Sequence, residues 1–264
     1  MRPNVEIPIS DVQSYPDRRN ICVNKVGVKN ILHPLIVQDG DYPPQRSVAQ
    51  ISMFVNLPAS VKGTHMSRFV EILNENETVL SVESMPQLLD MVVTRLQAEQ
   101  GFISVSFPFF VEKAAPVSQV KGLLNYQVTL SCSLVSGRII NELQVVVPVT
   151  SLCPCSKEIA DYGAHNQRSH VTVSARINGK LSIHALISLI EKEASCELFA
   201  ILKRPDEKLV TEKAYDNPKF VEDVVRDVAT QLDKVPVISA YRISSENFES
   251  IHNHSAYAEI EREK

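Results

Sequence analysis

The densest run of reactive side chains in the sequence is Ser151-Leu152-Cys153-Pro154-Cys155-Ser156-Lys157-Glu158, followed by Asp161, His165, Asn166, Gln167, Arg168 and His170. A thiolate with a nearby imidazole is a borderline-soft ligand set, suited to zinc or ferrous iron and tolerated by manganese. Pro154 biases Cys153 towards extended backbone, which projects its sulfur away from the chain. A Cys-x-Cys pair alone is weak evidence, because cysteine often serves as a small buried hydrophobe. His165 close by, with polar residues crowded between, makes Cys153 and His165 candidate site residues.

Two further groups can do chemistry. His252-Asn253-His254 places two imidazoles at alternate positions, and on a strand both would face the same side. An exposed histidine pair is ordinarily a solvated surface; only a distant Cys/His group would turn it into a ligand pair. The other group is the acid-rich stretch Asp206, Glu207, Glu212 and Glu222. Glu222 sits at the border of an apolar helical stripe, which predicts partial burial, with Arg226 one turn on as its ordinary partner.

The elements that must hold these groups follow from periodicity. Alternating patterns predict strands near residues 21–32 and 46–57, and helical spacing recurs at Met66, Phe69, Val70 and Leu73. A second helix is marked by Met85, Leu88, Leu89, Val92 and Leu96, with Ser84 as its expected N-cap. Strands return at residues 102–112, with Ile103, Val105, Phe107 and Phe109 on one face, and at residues 124–134. The order then repeats. Leu143, Val145 and Val147 mark one strand and Val171, Val173, Ala175 and Ile177 another; Ile183, Leu186, Ile187 and Ile190 read as a helix continuing, with a break, through residues 193–202. A further helix is expected from Pro218, capped by Asn217, with Phe220, Val221, Val224, Val225, Val228 and Leu232 as its buried stripe. Strands at 235–243 and 256–260 close the chain. The reading is an α+β fold of two ββααββ modules with antiparallel sheets, divided as an arm over residues 1–17 and modules over 18–136 and 137–264. Open sheet edges point to barrels completed by oligomerisation.

Composition narrows the function. Lys and Arg number 27 against 31 acids, a net charge of −4, so no basic face is forced and nucleic acid is a poor partner. No apolar run reaches the length of a membrane span and the first residues carry no apolar signal core, which predicts a cytoplasmic protein with no membrane partner. Five cysteines, an odd number, argue against a disulfide framework. Neither GxGxxG nor a P-loop is present.

The blocks PVTSLCPCSKEIADYGAHNQRSHV (148–171), EKAYDNPKFVEDVVRD (212–227), SIHNHSAYAEI (250–260) and KGTHMSRFVEIL (62–73) closely resemble the diagnostic segments of the GTP cyclohydrolase IB family. The resemblance runs from about residue 20 across nearly the whole chain. It implies a bimodular tunnelling fold assembled as a homotetramer, with active sites at subunit boundaries. It also implies a metal-dependent enzyme that opens the guanine ring of GTP to give 7,8-dihydroneopterin triphosphate and formate, the entry to folate and other pterins. Carried onto this sequence, it makes Cys153 the essential thiolate and metal ligand, with His252 and Glu207 as further ligands. His165 becomes a ligand or general acid/base, and Glu222 the carboxylate that anchors the guanine edge. The cofactor would be a divalent ion: zinc, manganese or iron. The triphosphate would draw on cations such as Arg168, Lys203, Arg204 or the His65/Arg68 pair. Two other readings stand beside this one: a nitrile reductase of deazaguanine metabolism on the same fold, which needs the cysteine but no metal, and a non-enzymatic oligomer stabilised by metal.

Overall fold

A computed structural model describes residues 10–75 and 79–264, so residues 1–9 of the expected arm lie outside the described residues. A single 3-10 turn at Val12–Ser14 precedes β1 (Val23–Val37), β2 (Gln45–Leu57), α1 (Met66–Glu75), β3 (Val79–Leu80), α2 (Met85–Leu96), β4 (Gly101–Ala114) and β5 (Lys121–Val135). The chain continues through β6 (Arg138–Leu152), α3 (Pro154–Ile159), β7 (Asn166–Ile177), α4 (Ile183–Lys192), β8 (Cys196–Glu197), α5 (Arg204–Asp216), α6 (Val221–Leu232), β9 (Ile238–Asn247) and β10 (Ala256–Glu263). The strands form one sheet in the order β10-β9-β7-β6-β5-β4-β2-β1-β3, and β8 pairs with β6 off that path. All pairings are antiparallel except β1 with β3. None of the described helices is long and apolar enough to cross a membrane.

Alternation explains the layering. Ile103, Val105, Phe107 and Phe109 of β4, Leu143, Val145 and Val147 of β6, and Val171, Val173, Ala175 and Ile177 of β7 all face the helices and are buried, as the pattern predicts. The stripes of α2, α4 and α6 cover them with Leu88, Leu89 and Val92; Ile183, Leu186 and Ile190; and Val221, Val224, Val225, Val228 and Leu232. Three stripe residues are exposed against expectation. Met66 and Val70 lie on the outer side of α1, which buries Phe69, Ile72 and Leu73 instead, and Phe220 is the residue before α6 and points outward.

The structure moves two boundaries and keeps a third without its expected cap bond. Residues 193–202 are not helical: β8 and a loop occupy them, because Cys196 and Glu197 pair with Thr150 and Val149 at the edge that β5 leaves vacant on β6. Asn217 does not cap α6; it ends α5, and its side-chain amide donates to the Ala194 and Ser195 carbonyls. Ser84 precedes α2 but makes no side-chain cap bond to it, because its hydroxyl is engaged with Ser81.

Between β5 and β6 the chain reverses over Ser136 and Gly137, both at positive φ (51° and 73°), a two-residue turn whose twist matches the flanking strands. A second contact joins the two halves. Asp39, 5% exposed in the β1–β2 loop, accepts hydrogen bonds from the Ile183 and His184 N–H groups, the Ser182 hydroxyl and His184 Nδ1 at 2.7–2.9 Å. Tyr42 stacks on the His184 ring at 3.8 Å and Phe109 meets it edge-on at 4.9 Å. Burial alone would push the Asp39 carboxyl up, but the bonds from His184, Ile183 and Ser182 outweigh it and hold the carboxyl below its ordinary range. A carboxylate with a depressed folded pKa contributes stability that is fully present above its unfolded pKa, about 3.9, and is lost as the pH falls through the lower folded value. Asp39→Ala should therefore lower stability by about 3 kcal/mol at pH 7, because it strands the donors at the start of α4, and by much less near pH 2. Urea melts at the two pH values check this; equal losses at both would remove the charge from the explanation.

Candidate active site

The end of β6, the short α3 and the start of β7 form one corner. Along the helix-covered face, the buried positions of β6 run Val147, Val149, Ser151 and then Cys153; those of β7, read backwards, run Val171, Ser169, Gln167 and then His165. The same phase on β9 runs Ile243, Ser245, Asn247 and, just past the strand, Glu249. Three strands thus turn from apolar to polar as they leave the core, and Cys153, His165 and Glu249 stand at their ends.

Cys153 caps α3 in extended conformation (φ −71°, ψ 118°), the geometry Pro154 favours, and its Sγ accepts the Ser156 N–H at 3.5 Å. Its own N–H donates to the His165 carbonyl at 3.1 Å, and the Ser156 hydroxyl bonds both the Cys153 carbonyl and the His165 N–H at 3.2 Å. The preceding residue is fixed on both sides: the Ser195 hydroxyl accepts the Leu152 N–H at 3.2 Å, and the Leu152 carbonyl accepts the Lys219 N–H at 3.1 Å. Lys157 ties α3 to the end of α5, donating to the Tyr215 carbonyl and lying 4.3 Å from the centre of its ring.

The His165 side chain is 14% exposed; Nδ1 lies 2.9 Å from Gln167 Oε1 and 3.8 Å from Glu249 Oε2. With Gln167 accepting from Nδ1–H, the lone pair rests on Nε2, the nitrogen free to bind a cation or take a proton. Glu249, 11% exposed, faces the same ring from β9's end.

The other sequence candidates sit differently. Glu222 is exposed in the first turn of α6, on the same solvent row as Arg226 and Thr230, so the expected half-burial does not occur; Arg226 pairs with Asp223 at 3.9 Å instead. His252 and His254 are not on a strand. They occupy the exposed loop before β10, where their rings nevertheless stack at 5.2 Å. Glu207 is exposed in the first turn of α5. Its neighbour Asp206 is the buried acid of that stretch, accepting from the Val117, Ser118 and Lys203 N–H groups and the Ser118 hydroxyl at 2.6–2.8 Å. Burial would raise the Asp206 carboxyl, yet these bonds hold it well below the carboxylate range. Among the described residues no three His, Cys, Asp or Glu side chains of one chain are grouped so as to hold a metal ion. The chain brings Cys153 and His165 together; it does not bring Glu207 and His252 to them.

The profile of the family described as type I GTP cyclohydrolase folE2 matches residues 9–258. The chain belongs to this family. It is 59% identical over 262 residues to GTP cyclohydrolase FolE2 of Nitrosococcus oceani, spanning 99% of this chain and 98% of the relative. To GTP cyclohydrolase FolE2 of Nitrosomonas eutropha it is 57% identical over 265 residues, spanning 100% and 99%. In three dimensions it is similar to uricase from Arthrobacter globiformis, with a TM-score of 0.52 and 9% identity over 90% of this chain and 93% of that one. Urate oxidase from Bacillus subtilis matches with a TM-score of 0.51 and 7% identity over 91% and 98%. At such identity the likeness speaks for fold alone, the tunnelling fold.

For this member of the cyclohydrolase family, the nitrile-reductase and purely structural readings fall away. Sequence reasoning missed Glu249, Ser169, Ser245 and Asn247, and named Ser151 and Gln167 only as members of the reactive run. Their signal was present: Ser151, Gln167, Ser169, Ser245 and Asn247 occupy core-phase positions of strands otherwise filled by Val, Ala and Ile.

Proposed function

We propose that this chain hydrolyses GTP to 7,8-dihydroneopterin triphosphate and formate. The observation that carries the reading is the near full-length identity to relatives named GTP cyclohydrolase FolE2, with Cys153 and His165 joined at one corner. The donor types present, a thiolate, imidazoles and a carboxylate, fit zinc, manganese or iron: Cys153 and His165 would hold the ion, with Glu207 and His252 completing the set where subunits meet. When bound, the ion supplies an acidified water at neutral pH. The chain's own residues do the rest. Gln167 fixes the tautomer of His165 so that Nε2 is the nitrogen that would meet the ion, and Glu249 lies against the same ring. Glu222, exposed and unburdened by Arg226, accepts the ring N–H and amino hydrogens of guanine, and a site built for those donors rejects bases that lack them. Water adds at C8, the imidazole ring opens, formate leaves, and the ribose carbons close the new ring. Incubation of the purified protein with GTP and each divalent metal, read by pterin fluorescence after oxidation, tests this directly; absence of product with every metal would refute it.

Shared sites require assembly. The outward positions of β10, Tyr257, Glu259 and Glu261, are exposed along an open sheet edge. The protein should sediment as a homotetramer, and a fully active monomer would rule out sites built from several subunits.

A further inference from the structure

Beneath the corner lies a polar seam inside the chain. Ser151, Ser169 and Ser245 are completely buried, Asn247 is 4% exposed, and Ser169 lies directly across from Asn247 in the β7–β9 register. The Ser169 hydroxyl donates to Ser151 Oγ at 2.7 Å. Ser245 Oγ and Asn247 Oδ1, on the same face of β9, have no hydrogen-bond partner. Native proteins seldom leave such atoms orphaned, and the usual remedy is ordered water bound to several polar groups at once. Because both side chains are enclosed within one chain, no side chain of a neighbouring subunit can serve; a water molecule is small enough to do so.

We propose that the seam holds ordered water bonded to Ser245 Oγ and Asn247 Oδ1, and that this hydration makes Asn247 a positioning residue for Glu249. Glu249 is two residues on in the same phase, and its carboxylate faces His165. The functional part of the inference rests on the cyclohydrolase reading of that corner; the hydration does not. An apolar residue at 247 would expel the water, slacken the turn after β9 and let the carboxylate drift from the ring.

The test is a high-resolution crystal structure of the wild-type protein beside that of Asn247→Leu, with GTP kinetics on both. Wild type should show water within hydrogen-bond distance of both orphan atoms. Asn247→Leu should lose it, with His165 Nδ1 and Glu249 Oε2 moving beyond their 3.8 Å separation. Its kcat should fall about 10- to 100-fold, as for other groups that orient a catalytic residue, while the KM for GTP stays at the wild-type value. A dry seam in wild type overturns the proposal, as does a variant that keeps both the separation and kcat and loses only melting temperature. Should Asn247→Leu fail to fold, Ser245→Ala removes one of the two groups without adding bulk and is judged by the same readouts. If wild type itself turns over no GTP, the activity reading fails, while the water and the separation still decide this one.

Discussion

Cys153→Ala is expected to abolish GTP turnover, by at least about a thousandfold, and to strip the protein of divalent metal while leaving its fold intact. The corner that carries Cys153 is held by backbone and by other side chains: its N–H on the His165 carbonyl, and Leu152 fixed by Ser195 and Lys219. The thiol itself accepts only the Ser156 N–H, at the long distance of 3.5 Å. Removing the sulfur therefore removes chemistry and little else. Cys155, two residues on, is exposed on α3, so Cys155→Ala should keep most of the activity. Metal analysis, circular dichroism and turnover on both variants settle the matter; a Cys153→Ala protein that binds metal and works normally would end the thiolate assignment.

The second large effect is expected at Glu222. Its carboxylate stands in solvent in the first turn of α6, and Arg226 turns to Asp223. An exposed acid without an assigned partner contributes little to stability, so Glu222→Gln should melt like wild type. In the complex the same carboxylate would be enclosed with the guanine N–H donors. Each charge-assisted hydrogen bond lost there should cost about one to two decades in affinity. Glutamine keeps the shape but sets an amide donor against guanine donors, so GTP affinity should collapse while metal content stays normal. Side-by-side titrations of metal and GTP separate the two roles. Unchanged GTP affinity would mean that the base is read elsewhere.

Much of the fold was legible because strands and helices that bury one face announce it in their periodicity. That logic placed β4 and α2 closely and found the apolar parts of β6 and β7, but not that both strands run on into the reactive segment, β6 to Leu152 and β7 from Asn166. It failed on α5, where only Asp206 and Ala214 are buried. That helix is held by polar ties, the Asp206 bonds and the Lys213–Glu197 ion pair, which leave no apolar rhythm to read. It failed again at residues 193–202, where β8 is too short to alternate and exists only because β6 offers it an edge. At the site, Cys153 and His165 were visible because they lie close in sequence. Glu249 was not, because only the β7–β9 pairing brings it to His165. The half-burial expected of Glu222 assumed that bordering an apolar stripe means lying under it, and α6 is rotated so that residues 222, 226 and 230 share its solvent side.

The placement of Glu249 has a consequence for how the protein is made. Cys153 and His165 leave the ribosome close together and can meet as soon as β6 and β7 pair. The carboxylate that faces His165 is translated far later, and it reaches the ring only once β9 has added to β7. Vectorial synthesis therefore delivers a nascent chain in which the Cys153 N–H can already meet the His165 carbonyl while the Glu249 carboxylate has not arrived, so the corner is completed only when the last strands add.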